Sequence, residues 1–293
     1  MRVVSARDPL GVRLRNLLGR RELLSSLIVS DIRIKYKGSA LGLVWSMLSP
    51  ALTLATYYMV FSVFLKNGIP NFVVYLFSGL VVWNMFQSAV NAATGVIVDR
   101  AGLVKKVSFP REILALSNVG ASMIYFGIQL GVLVAFLAVI RHAPAWNFLW
   151  ILPISFLALY LLTASIAIVM SAITVYLRDV RHLMEVVLQL WFWVSPVVYS
   201  YENSIAAALH RHGLANLYFL NPMTLIILTF QRIFYVSTTV RSTTSGLPLH
   251  ILPTWPMSTY FYLNAGLLGG TAILFLIALS VFGRLEGNFE SEL

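Results

Sequence analysis

The residues of this chain that are able to do chemistry are few, and they sit at the ends of long apolar runs. Asp31, Asp99, Asp179 and Glu185 all map to the edge of a run, and the centre of each run is free of charge. Coupling to a proton or sodium gradient calls for an ionisable group within the membrane, so ion coupling is not expected. His182 and Glu185 have a three-residue helical spacing that suits a metal, but a third ligand is not evident nearby. His210, Arg211 and His212 read as a solvated loop face or as a contact for an anionic headgroup or phosphate. No Gly-x-Ser-x-Gly elbow and no pair of carboxylates facing one site is visible. None of the five lysines follows a glycine, which removes the Gly-Lys step of a phosphate-binding loop. The chain has no cysteine and hence neither a disulfide framework nor a thiolate zinc site. The expectation is a chain with no catalytic residue, no metal site and no cofactor of its own.

Aromatic side chains are plentiful, at 13% of residues. Tyr57, Phe61 and Phe64 recur at helical spacing, and Trp191, Phe192 and Trp193 lie close to Tyr199 and Tyr201. Such residues pack helices or form interfacial belts. They also suit the wall of a sugar conduit, because aromatic rings accept the C–H faces of sugars without holding a charge. A second informative segment is Val98-Asp-Arg-Ala-Gly-Leu-Val-Lys-Lys-Val-Ser-Phe-Pro-Arg-Glu-Ile-Leu-Ala-Leu-Ser117. It holds a short basic amphipathic stretch, then Phe109-Pro110, then a helix start at Arg111 and Glu112. It reads either as a plain basic loop or as a docking element for a partner.

The elements that position these groups are set by composition. Over 293 residues, 59% are hydrophobic and 11% charged, and the mean hydropathy is +0.82. A soluble domain carries roughly 25% charged residues, so the bilayer must be the solvent. Apolar stretches near the roughly 20 residues that cross a bilayer run from Leu43 to Leu65, Phe72 to Val98, Val119 to Ile140, Phe148 to Leu177 and Tyr260 to Gly283. Val186 to Tyr201 is short and contains Pro196, and Gly213 to Gln231 contains Asn221-Pro222, which breaks a helix. If the first of these crosses and the second only dips in and returns, there are six crossings; if both cross, there are seven.

Ahead of the spans, Leu23, Leu24, Leu27 and Ile28 form one face of an interfacial amphipathic helix between Glu22 and Lys37. Arg33, Lys35 and Lys37 follow where side chains reach lipid headgroups. Nine of the 21 basic residues precede Leu41, and 16 of the 21 fall on the N-terminal side of a six-span arrangement. The positive-inside rule then makes the N-terminus cytoplasmic, and the net charge of +10 marks topology and lipid contact, not nucleic acid. The first 40 residues hold no signal-peptide core, so no cleavage is expected.

Leu103-Val-Lys-Lys-Val-Ser-Phe-Pro-Arg-Glu-Ile-Leu114 resembles the cytoplasmic-loop signature of permease subunits of type-2 ABC exporters for polysaccharides. Three further segments resemble that family in the same order: Lys35-Tyr36-Lys37 through Leu41-Gly42 to Trp45 and Pro50, Tyr176-Leu-Arg-Asp179 through Trp193-Val-Ser-Pro196, and Asn221-Pro222. Ala115 stands where many relatives have proline. The resemblance implies an all-α polytopic membrane protein of six transmembrane helices, with a cytoplasmic N-terminal region over 1–42, a permease domain over 43–283 and a cytoplasmic tail over 284–293. It implies an ATPase-coupling loop over 98–118 carried by Leu103, Lys105, Lys106, Phe109, Pro110, Arg111 and Glu112. It implies short re-entrant gate helices at an outer gate over 200–235, with Pro196, Tyr201, Asn221 and Pro222 around it, and conduit aromatics at Tyr57, Phe61, Phe64, Trp191, Trp193 and Tyr199.

The partners implied are a second copy of the chain, two copies of a cytoplasmic ABC ATPase that uses ATP and Mg, a lipid-linked polysaccharide of O-antigen, teichoic acid or galactan type, and the lipids of an inner or plasma membrane. Rival expectations are a type-2 ABC permease for a drug or small lipid, and a membrane-embedded glycosyltransferase. The scarcity of acids away from the span edges speaks against the glycosyltransferase.

Overall fold

The computed structural model describes residues 10–36, 44–202, 211 and 218–293. In chain order the helices are α1 (Leu10–Gly19), α2 (Arg21–Tyr36), α3 (Trp45–Tyr58), α4 (Phe72–Thr94), α5 (Val96–Asp99), α6 (Ala101–Lys106) and α7 (Glu112–Val139). They continue with α8 (Leu152–Tyr176), α9 (Val180–Val194), α10 (Pro222–Phe234), α11 (Met257–Leu285) and α12 (Phe289–Glu292). α3 runs on as a six-residue π turn, Met59–Phe64, and α8 begins with a 3-10 turn at Trp146–Ile151. Two three-residue strands, β1 (Thr239–Arg241) and β2 (Pro248–His250), make an antiparallel hairpin. The all-α, polytopic reading holds, with this hairpin as a small addition.

Among the described residues five helices are long and apolar enough to cross a bilayer: Met47–Phe64, Phe72–Thr94, Glu112–Val139, Trp146–Tyr176 and Met257–Asn288. They form because uninterrupted apolar sequence satisfies every backbone group internally, the one option open to a segment in hydrocarbon. α4 is the centre of the bundle, with α7, α8, α9 and α10 packed around it. α11 lies against α8. α3 lies at the edge, with none of its 18-residue span fully buried.

Long-range bonds define two faces. On one, Tyr176 Oη donates to Leu285 O at 2.5 Å, Arg181 pairs with Asp99, and Arg100 pairs with Asp31 of α2. α1, α2, the loop after α4 and the end of α11 all meet there; it is called the basic face below. On the other face, Tyr235 Oη donates to Pro70 O at 2.9 Å, and Thr243 N donates to Gly68 O at 2.9 Å. Gly68 has φ of +73°, and a Cβ there would sit 2.4 Å from Ser242 Oγ, so the turn after α3 needs this glycine to receive the hairpin.

These faces decide the crossing count. α9 starts on the basic face beside Asp99 and ends level with Trp83, about half-way along α4. The chain then continues without helix through Ser195–Ser200, where Ser200 Oγ donates to Ile251 O beside the hairpin. α9 and this irregular stretch together make one crossing. α10 begins at Asn221, bonded to Trp191 at mid-depth, and rises to the hairpin face, where Ala145 N donates to Ile233 O at 2.8 Å. Ser200 thus lies beside the hairpin and Asn221 at mid-depth, an arrangement that agrees with the six-crossing alternative.

Two local expectations are sharpened. α2 carries the amphipathic pattern in its first half, with Leu23, Leu24, Leu27 and Ile28 half-buried and Ser25 and Ser26 exposed, whereas Ser30 and Asp31, expected on the polar face, are half-buried and Asp31 pairs with Arg100 and Ser117. Ahead of it α1 is a separate helix, which the alternation of Arg13 and Arg15 with Leu14 and Leu17 does not announce in the sequence. Lys37, Gly38, Gly42, His210, His212 and most of the region expected to hold gate helices between 204 and 217 lie outside the described residues.

Candidate functional site

On the basic face α6 is a six-residue amphipathic helix anchored by one residue. Val104 is buried, while Leu103, Lys105, Lys106 and Val107 turn outward. The segment is bracketed by ion pairs, Arg100 with Asp31 of α2 and Arg181 of α9 with Asp99 at 2.5 Å. Gly95 gives the Arg181 guanidinium its place, because a Cβ there would lie 2.3 to 2.7 Å from it. The residues just ahead of α6 are therefore tied to both α2 and α9 by ion pairs.

The second half of the loop is built differently. Phe109 and Pro110 are half-buried, and Glu112 is only 2% exposed. Arg13 of α1 reaches Glu112 Oε1 at 2.5 Å with one nitrogen and Glu286 Oε2 at 2.5 Å with the other. Arg111 Nη1 donates to Glu286 O at 3.2 Å, and its guanidinium lies 5.9 Å from the Phe289 ring centre. Arg111 and Glu112 thus face inward and tie α1, α7 and the end of α11 into one cluster. Leu103, Lys105 and Lys106 are the residues of the expected coupling set that present a surface. The cluster itself escapes sequence reading because its members are 99 and 273 residues apart. His182 and Glu185 sit 3.9 Å apart with strongly exposed side chains at the start of α9.

At mid-depth, the end of α9 is held by Asn221. Its Oδ1 accepts from Trp191 Nε1 at 2.8 Å and caps α10 by accepting from Met223 N at 3.1 Å, while its Nδ2 donates to Ser195 Oγ at 3.1 Å. Pro222 occupies the first helical turn, where a missing N–H costs nothing. The carbonyls released after Val194 are covered too: Pro196 O accepts from Gln231 Nε2 at 2.9 Å, and Tyr199 O accepts from Tyr75 Oη at 2.7 Å. Irregular backbone at this depth requires cover by protein or by water in a cavity, and here side chains provide it. Gly79 leaves the room, with Gln231 Nε2 and Val197 Cα 3.1 and 3.5 Å from where its Cβ would be.

The aromatics split into groups. Tyr57 stacks on Phe192 at 5.5 Å and meets Trp193 edge-on at 6.5 Å, and Trp191 meets Phe86 at 5.1 Å. Tyr57, Trp191 and Trp193 are therefore gathered where α3 and α9 meet α4. Phe61 turns to Phe72, and Phe64 stands apart, 69% exposed. Tyr199 bonds Tyr218 through their hydroxyls at 3.2 Å, and Tyr201 stacks on Tyr218 at 5.1 Å. Those rings belong to a chain through Phe219 and Trp255 toward the hairpin face. Arg33 is exposed on α2, and the helix includes Lys35.

The described residues thus combine an irregular crossing, α9 with Ser195–Ser200, with a short basic helix exposed on one face. Residues 22–235 match the family described as ABC-2 type transporter, and the chain belongs to that family. It is 32% identical to an O-antigen export system permease protein of Myxococcus xanthus over 75% of this chain and 83% of that protein. A permease of the same description from Klebsiella pneumoniae is 26% identical over 92% of this chain and 93% of its own length. The chain is thus a multi-pass membrane component of an ABC transporter, and the family implies an ATPase partner.

Proposed function

We propose that this chain is the permease of an ATP-driven exporter that moves a lipid-linked polysaccharide out of the cytoplasm across an inner or plasma membrane. Two copies form the membrane unit, each served by one copy of an ATPase that binds ATP and Mg. The observation that supports this reading best is the similarity to the Klebsiella pneumoniae O-antigen permease over nearly the full length of both chains. Teichoic acid and galactan carriers share the same chemistry, a long uncharged or weakly charged chain on a lipid. The basic face is cytoplasmic in this reading, which follows the positive-inside rule.

The mechanism uses the links already described. ATP-driven closure of the partner presses on Leu103, Lys105 and Lys106, and the displacement passes to α9 through Asp99 and Arg181 and to α2 through Arg100 and Asp31. α3 and α9 carry wide exposed apolar faces, Leu52, Met59 and Val63 on one and Leu183, Val186 and Leu190 on the other. A second copy covers these faces, and their separation opens a path past Tyr57 and Trp193. Ser195–Ser200 and α10 form the gate at the far side.

Depletion of the gene with analysis of lipid-linked glycans on each membrane face tests the reading. Finished polymer is expected to accumulate on the cytoplasmic face, and an unchanged distribution would overturn it.

A further inference from the structure

A membrane helix turns apolar side chains to lipid and polar ones inward, because a polar group in hydrocarbon without a partner is costly. α4 reverses this over the half nearer the basic face. Its packed sides are Trp83, Met85, Phe86, Ala89 and Val90, whereas the open side holds the half-buried Asn84, Gln87 and Asn91 and the exposed Ser88 and Ala92, four of the five polar. Spacings of three, four and seven place these four on one strip. The strip starts 12 residues into α4, about 18 Å along the helix axis, and so lies at membrane depth.

Neighbouring contacts fix where it opens. Trp83 and Phe86 face α9, with Phe192 at 5.5 Å and Trp191 at 5.1 Å. Asn84 Nδ2 donates to Gln129 Oε1 of α7 at 3.4 Å. The strip lies between those two sides. Gln87 Oε1 accepts from Trp83 Nε1 at 3.1 Å, Ser88 Oγ donates to Met85 O at 3.2 Å, and Asn91 Oδ1 is buried without a hydrogen-bond partner. The result is an uncharged run of amides and a hydroxyl, held in place by neighbours, with Ser88 the most open of the four and Asn91 Oδ1 turned inward.

We infer that Asn84, Gln87, Ser88 and Asn91 form the track on which the hydroxyl groups of the exported glycan exchange hydrogen bonds during passage; this rests on the function proposed above. Uncharged donors and acceptors match sugar hydroxyls and release them again, since one such bond changes an equilibrium only about fivefold. A second copy of the chain is the competing occupant. The apolar faces of α3 and α9 suit a helix partner, whereas this polar strip suits a polar one.

The absence of cysteine makes the test direct. Ser88→Cys and Asn84→Cys are placed singly in the complete permease–ATPase complex, in membranes, and probed with a cationic, membrane-impermeant methanethiosulfonate. Ile277→Cys, on the open apolar face of α11, is the control. Both strip cysteines are expected to react and the control to stay unmodified. With ATP hydrolysis blocked, their reaction should slow about fivefold or more in cells that make the host's lipid-linked glycan compared with cells lacking it. Failure of both cysteines to react overturns the inference, as does a disulfide between copies at position 88. Equal reaction with and without glycan, while wild-type protein exports that glycan, overturns it as well. If wild-type protein exports no glycan, the proposed function falls and takes this inference with it.

Discussion

At the scale of single residues, the irregular crossing depends on donors that come from elsewhere in the chain. Tyr75 and Gln231 are 124 and 35 residues from the carbonyls they serve, so the break after Val194 is stable only in the assembled bundle. Tyr75→Phe keeps the ring and removes the donor to Tyr199 O; it should cost about 1–3 kcal/mol, the price of a buried acceptor left unpaired. Tyr58→Phe, on a half-open side chain, should change stability by less than about 0.5 kcal/mol. Thermal unfolding in detergent, monitored for both variants, compares them directly, and equal midpoints would show that water covers the break. Asn221→Ala removes a helix cap together with the Trp191 and Ser195 bonds, and a loss of about 2–3 kcal/mol is expected by the same measurement.

At the scale of elements, α1 and α7 are joined by a buried charge. With Arg13 gone, Glu112 is left 2% exposed beside Glu286, so Arg13→Ala should lower stability by about 3–5 kcal/mol. The double variant Arg13→Met with Glu112→Met should recover most of that loss, and a cycle with no coupling would show that the pair is unimportant. α6 behaves oppositely, since Leu103, Lys105 and Lys106 are exposed among the described residues. Leu103→Asp with Lys105→Glu and Lys106→Glu should therefore abolish ATPase co-purification while the permease melts as before. Deleting the whole segment Leu103 to Leu114 would blur this result, because it removes Glu112 as well.

Much of this scale was legible in the sequence: five spans announce themselves as charge-free runs, and Pro196 and Asn221-Pro222 mark the break. The charge cluster and the carbonyl caps were not, because they join residues with no sequence periodicity between them. The strip on α4 was hidden for another reason. Four polar residues in a 23-residue apolar helix barely change its average, and although their spacing puts them on one side, only burial shows that this side is left open.

At the scale of the molecule, the bundle is lopsided. α4, α8 and α10 form a dense interior, while α3 and α9 leave apolar side chains such as Leu190, 63% exposed, on one flank. Leu190→Cys in this cysteine-free chain should give a disulfide-linked dimer on mild oxidation in membranes, and Ile277→Cys on α11 should not; equal cross-linking would place the interface elsewhere. The Arg13 cluster has a further consequence when the chain is considered as it is made. Arg13 is synthesised 99 residues before Glu112 and 273 before Glu286. At about 5–20 residues per second, the second partner arrives tens of seconds after α1 has left the ribosome. Until then Glu112 is the one carboxylate of the cluster available to Arg13, so full capture of α1 is among the last steps of maturation, and a chain truncated before Glu286 would hold its leading helix by half of the cluster.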